Sequence, residues 1–163
     1  MPRKKKKTSK INWGQLITAI ALCEGVGIAG SFFTFSSIPT WYVTLNRPSF
    51  SPPNSLFGPV WTMLYALMGI ALYLLWSKKG KTAVTLKNLF VVQLVLNGIW
   101  SPVFFGAQNI GLAFVVIIAL WVSIAALIYK AWREDERVSL LLLPYLLWVS
   151  FASILNYSLW RLN

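Results

Sequence analysis

The chain has 163 residues, 57% of them hydrophobic and only 12% charged, with a mean hydropathy of +0.64 and a formal net charge of +11. Such values exclude a water-soluble domain and point to an all-α membrane protein. A single cysteine allows no internal disulfide, and without histidine neither the usual zinc sites nor a His-ligated haem can be assembled.

Residues 1–11 form a basic leader carrying Arg3, Lys4, Lys5, Lys6, Lys7 and Lys10. The plain reading is membrane anchorage, not nucleic-acid binding: the cluster holds the first helix to the cytoplasmic side and touches anionic headgroups. The apolar segment behind it is too long for a cleaved signal peptide and lacks a small-x-small exit. Residues 12–163 then read as one domain of five spans, at about 14–35, 59–77, 88–105, 111–130 and 138–160.

The first span contains Glu24, the only acidic residue inside any span. Its neighbours Ala21, Gly25, Gly27, Ala29 and Ser31 suit close helix packing, which favours a neutral, structural Glu24. A proton-coupled or ligand-contacting role is the other reading. The connection 36–58 holds Pro39, Pro48, Pro52 and Pro53, too many for a continuous helix. It also holds Trp41, Tyr42, Phe50 and Phe57, too many aromatics for a solvated linker. It reads as an ordered lid over the helix ends.

In the second span Trp61, Tyr65 and Met68 share a face. No charge occurs between Lys87 and Lys130, a stretch that would reach ~63 Å as one helix. It must hold two spans, with the turn at 106–111. On the third span Gln93, Asn97, Trp100 and Phe104 stack on one side, and Pro102 interrupts the hydrogen-bond ladder. The fifth repeats the pattern with Tyr145, Trp148, Ala152 and Asn156, where Ala152 leaves room. Amides are costly in lipid, so both stripes should face the bundle interior. There they serve either as helix–helix glue or as the wall of an aromatic cavity. Trp13, Trp76, Trp132 and Trp160 fall at span ends, where indoles favour headgroups, and Trp121 reads as packing or lipid-facing.

The positive-inside rule gives orientation. With the N-terminus in the cytoplasm, the leader, Lys78, Lys79, Lys81 and Lys87, and Lys130, Arg133 and Arg137 all lie inside. Only Arg47 and Arg161 are left outside, with the C-terminus and the lid. The balance suits a bacterial inner membrane.

Three strings carry a resemblance: Arg47-Pro48-x-Phe50-x-Pro52-Pro53 leading to Phe57-x-Pro59-Val60-Trp61-Thr62-x-Leu64-Tyr65; Gln93-Leu94-x-Leu96-Asn97-x-x-Trp100-Ser101; and Pro144-Tyr145-x-x-Trp148-x-x-Phe151-Ala152-x-x-Leu155-Asn156. In this order they resemble the translocator protein (TspO/MBR) family, whose bacterial members are called tryptophan-rich sensory proteins. The resemblance covers about residues 12 to 160.

It implies a five-helix bundle, frequently a homodimer, with an outer-side pocket for porphyrins, sterols and isoquinoline-type drugs. Carried over by motif, the pocket positions are Tyr42 and Pro52 in the lid, Trp61 and Tyr65, Asn97 and Trp100, and Trp148, Ala152 and Asn156. A sterol segment maps to Leu155, Tyr157 and Arg161. A cage of indoles suits a flat tetrapyrrole such as protoporphyrin, metal-free because no histidine is present to ligate a metal. The leading expectation is a binding and sensing protein that needs no cofactor, with possible ligand transport. The alternative is light- and oxygen-dependent porphyrin degradation with Trp61 and Trp148 as the reactive side chains.

Overall fold

The computed structural model describes residues 11–163, so the leader up to Lys10 lies outside the described residues. Five helices follow one another: α1 (Trp13–Ser37), α2 (Asn54–Trp76), α3 (Lys81–Ser101), α4 (Ile110–Glu134) and α5 (Glu136–Leu162). No strand occurs among the described residues. All five are long and apolar enough to cross a membrane. Neighbour contacts close them into a ring in the order α1–α2–α5–α4–α3. Large apolar side chains such as Phe32, Phe35, Val115 and Leu147 project outward, as lipid contact requires.

Polar side chains punctuate the chain. Asn12 accepts from the Gln15 N–H at 3.2 Å to cap α1, and Asn109 accepts from the Leu112 N–H at 2.9 Å to cap α4. Gln108 adopts a left-handed φ of 52°, which breaks the uncharged stretch inside the expected turn. Asp135 ends α4 and starts α5. Its carboxylate accepts two 2.9 Å bonds from the Arg137 guanidinium and lies 3.1 Å from Lys78 Nζ. Those Arg137 bonds, with Lys78 beside them, hold the Asp135 carboxyl well below the usual carboxylate range.

Two spans begin earlier than composition indicates. Helix α2 starts at Asn54 rather than 59, because Pro53 sits at its cap and Pro59 forfeits only one bond near its beginning. Helix α3 starts at Lys81 rather than 88, taking Lys81 and Lys87 into its first turns. There Lys87 Nζ donates to the carbonyls of Trp76 and Lys78 at 3.1 and 2.9 Å, closing the end of α2. At the other end of α3, Pro102–Gly106 widens into a π turn, which absorbs the broken ladder and buries both Phe104 and Phe105.

The segment 38–53 is irregular apart from a 3₁₀ turn, Tyr42–Thr44. It is pinned over one end of the ring. Tyr42 is buried, Trp41 meets Phe104 edge-on at 5.6 Å, and the Arg47 guanidinium lies over the Tyr42 ring at 5.7 Å. The Asn46 N–H donates to Asn163 Oδ1 at 2.9 Å, while Asn163 Nδ2 donates back to the Asn46 carbonyl at 3.1 Å.

Candidate ligand-binding cavity

Helix α1 crosses the bundle obliquely, and small residues set its course. In the half remote from segment 38–53 it lies against α2: a Cβ on Gly69 would stand 2.5 Å from the Ile20 Cα. One further contact, between Gly27 and the Tyr65 ring, marks the end of that close approach; a Cβ on Gly27 would come within 2.3 Å of Tyr65 Cε2. Beyond it α1 leans on α3. Ser101 Oγ donates to the Gly30 carbonyl at 2.8 Å and meets Thr34 Oγ1 at 2.9 Å, and Ser37 Oγ donates to the Phe105 carbonyl at 2.9 Å. Helix α2 stays behind with α5, where Phe57 meets Trp148 edge-on at 6.0 Å.

The parting of α1 and α2 leaves a cavity of about 390 Å³. Tyr42 and Ile38 lie at its top, and one face of α1, including Glu24, Gly27, Ser31 and Thr34, forms a wall. Phe57, Trp61 and Tyr65 come from α2, Asn97, Trp100 and Ser101 from α3, and Trp148, Ala152, Leu155 and Asn156 from α5. It reaches the surface between α1 and α2, where Ile28, Phe35, Gly58 and Thr62 are exposed.

Below it runs a polar brace. The Tyr65 hydroxyl donates to Asn97 Oδ1, and Asn97 Nδ2 donates to the Tyr145 hydroxyl at 2.7 Å. Nearer the top, Trp100 Nε1 donates to Asn156 Oδ1 at 3.1 Å, and Asn156 Nδ2 donates to the Ile110 carbonyl at 3.0 Å. Both amides therefore tie helices together and line the cavity at once. Trp148 Nε1 and Asn54 Oδ1 differ: both atoms are buried, belong to lining residues and have no hydrogen-bond partner among the described residues.

The chain belongs to the TspO/MBR family. The family's sequence model matches residues 19–161. A tryptophan-rich protein TspO of Archaeoglobus fulgidus is 45% identical over 91% of this chain and 97% of its own length. The human translocator protein is 39% identical over 82% of this chain and 81% of its own. A tryptophan-rich sensory protein of Cereibacter sphaeroides is 31% identical over 94% of both. This TspO/MBR chain is thus an integral membrane protein.

Of the residues that sequence motifs assign to the pocket, all but Pro52 line the cavity; Pro52 lies off its wall, in segment 38–53. Met68 and Gln93, which share helix faces with lining residues, are buried in the helix packing instead. The sterol segment is not brought onto one surface. Leu155 points into the cavity, whereas Tyr157 faces outward against Phe114 and Trp160, and Arg161 is exposed. Two residues along a helix turn the side chain to the far side. Trp121 is spoken for, donating to Ser150 Oγ at 2.8 Å. Glu24 lies among the lining residues of the cavity. Sequence motifs miss the α1 wall and Asn54, whose only signal is small and polar residues three to four apart on one helix face.

Proposed function

We propose that this chain is a membrane receptor for tetrapyrroles such as protoporphyrin, which it holds in the cavity under segment 38–53 acting as a lid. The observation that carries this reading is an aromatic pocket with buried, unpartnered polar atoms, Trp148 Nε1 and Asn54 Oδ1, on its wall. Its volume falls in the ordinary range for small-molecule sites, and its opening between α1 and α2 leaves space for a ring edge to project. Trp61, Trp100 and Trp148 offer indole faces for stacking. The Arg47 guanidinium over the Tyr42 ring stands beside the roof, placed to meet a propionate. Binding needs no cofactor. Sensing, or passive movement of ligand within the membrane, follows from such a site; sterol binding through the same cavity would use Leu155 but not Tyr157 or Arg161. The charge balance supports a bacterial inner membrane with the N-terminus cytoplasmic and the C-terminus outside, and the family supports a homodimer.

The test is a titration of detergent-purified protein with protoporphyrin in the dark, followed by tryptophan quenching. Wild type binds saturably, Ala152→Phe loses binding, and Trp148→Phe weakens it; binding indifferent to both substitutions refutes the assignment. The position of Trp61 and Trp148 in one cavity keeps a second reading open, photo-oxidative porphyrin degradation. Illuminating the same complexes in air decides it: decay of the porphyrin band that requires Trp148 supports an enzyme, and an unchanged band supports a receptor.

A further inference from the structure

Glu24 is the one feature of the cavity that a tetrapyrrole does not explain. The other three acidic residues, Glu134, Asp135 and Glu136, cluster at the α4–α5 junction. Glu24 instead lies at mid-span on α1 and lines the cavity. Its carboxyl group enters no hydrogen bond or ion pair with any described residue. No Lys or Arg lines the cavity, and the other titratable side chains on its wall are Tyr42 and Tyr65. The Tyr65 hydroxyl is already committed to Asn97. A carboxyl group so placed is free to pair with something that enters the cavity.

The surroundings define that partner. Glu24 stands three residues, about one helical turn, from Gly27, against which the Tyr65 ring packs. Trp61 follows, with its ring 5.6 Å from that of Tyr65. A carboxylate beside two aromatic rings is an arrangement that receives an ammonium group, through charge pairing and cation–π attraction. The opposite end of the cavity carries the reverse polarity, with Trp148 Nε1 unpartnered and Arg47 beside Tyr42. Along α1 the two ends are ~20 Å apart.

Resting on the cavity assignment above, we infer that Glu24 makes the cavity floor a recognition point for a basic nitrogen, so that the site takes hydrophobic amines as a ligand class besides tetrapyrroles. The aromatic body of such a ligand occupies the indole-lined part and its ammonium group meets Glu24. A ligand bearing both an amine and a carboxylate is oriented with the amine at Glu24 and the carboxylate toward Arg47.

The experiment compares a naphthylalkylamine with its N-acetyl derivative, which has the same aromatic body and no charge, on full-length protein in a neutral detergent. Wild type binds the amine at least about tenfold more tightly than the amide. Glu24→Gln binds the two alike, Glu24→Asp retains the preference, and Ala152→Phe loses both probes. Equal binding of the two probes by wild type overturns the inference without recourse to any variant, and so does a preference that survives Glu24→Gln. Wild type that binds protoporphyrin but not the amine also overturns it, leaving the tetrapyrrole reading intact. Failure to bind protoporphyrin as well as both probes overturns the cavity assignment on which it rests.

Discussion

The contact between Gly27 and Tyr65 offers a quantitative test of how the cavity is held. A methyl group on Gly27 would sit 2.3 Å from Tyr65 Cε2, whereas carbon atoms rest at about 3.5–4.0 Å. In Gly27→Ala the ring must therefore retreat by at least ~1 Å. It is not free to do so, because its hydroxyl is bonded to Asn97, itself bonded to Tyr145. Overpacking of this kind costs about 1–3 kcal/mol, and a buried hydrogen bond left unmade about 1–3 kcal/mol more. Alanine's better helix propensity returns at most about 1 kcal/mol. The expected net loss is about 1–5 kcal/mol. Gly25→Ala is the control: nothing lies within 4 Å of a Cβ there, so only the propensity gain remains. Thermal unfolding in detergent measures both variants, with protoporphyrin titration alongside to read the displaced ring. In a Tyr65→Phe background no hydroxyl is left to strand, so Gly27→Ala should cost about 1–2 kcal/mol less there than in wild type. A Gly27→Ala protein as stable as Gly25→Ala, with unchanged binding, would refute the reasoning.

Three further outcomes are expected. Gly69→Ala forces a methyl group to 2.5 Å from the Ile20 backbone, which no rotamer change relieves; it should lose about 3 kcal/mol or more and lower the yield of folded protein in size-exclusion chromatography. Ala152→Phe fills the cavity from α5, so it should abolish dark protoporphyrin binding while leaving the unfolding temperature near that of wild type. Asp135→Asn should lose about 1–3 kcal/mol at neutral pH through the weakened Arg137 and Lys78 contacts. Because the folded-state carboxyl is held below its unfolded value, that contribution is complete above about pH 4 and is lost as the pH falls further. The gap between wild type and Asp135→Asn should accordingly be constant from pH 8 to 5 and close in more acidic buffer.

Charge spacing alone made the five spans legible, since the stretch between Lys87 and Lys130 can only be folded as two helices. The helix starts at Asn54 and Lys81 were not, because prolines at a cap and lysines closing a neighbouring helix look like loop residues until the neighbour is in place. The amide stripes of α3 and α5 showed which faces turn inward but left glue and cavity open. The structure explains why: Asn97 and Asn156 do both, and hydrogen-bond partners are a tertiary property. The α1 wall was the least legible part. Gly27, Ser31 and Thr34 line the cavity by virtue of where α1 crosses the ring, and small residues look the same in a packed seam and in an open one.

The oblique course of α1 has a mechanical consequence. Near the Lys78 end, backbone-to-backbone contact at Gly69 and the Tyr65–Asn97–Tyr145 brace bind α1, α2, α3 and α5 into a stiff block. Toward Tyr42, α1 is fastened to α3 alone, and Gly58 on α2 has nothing within 4 Å of where a Cβ would be. The bundle behaves as a pair of tweezers with its joint at Gly69 and its free tips at Phe35 and Gly58. Amide hydrogen exchange in detergent is accordingly expected to be faster around Phe35 and Gly58 than around Gly69.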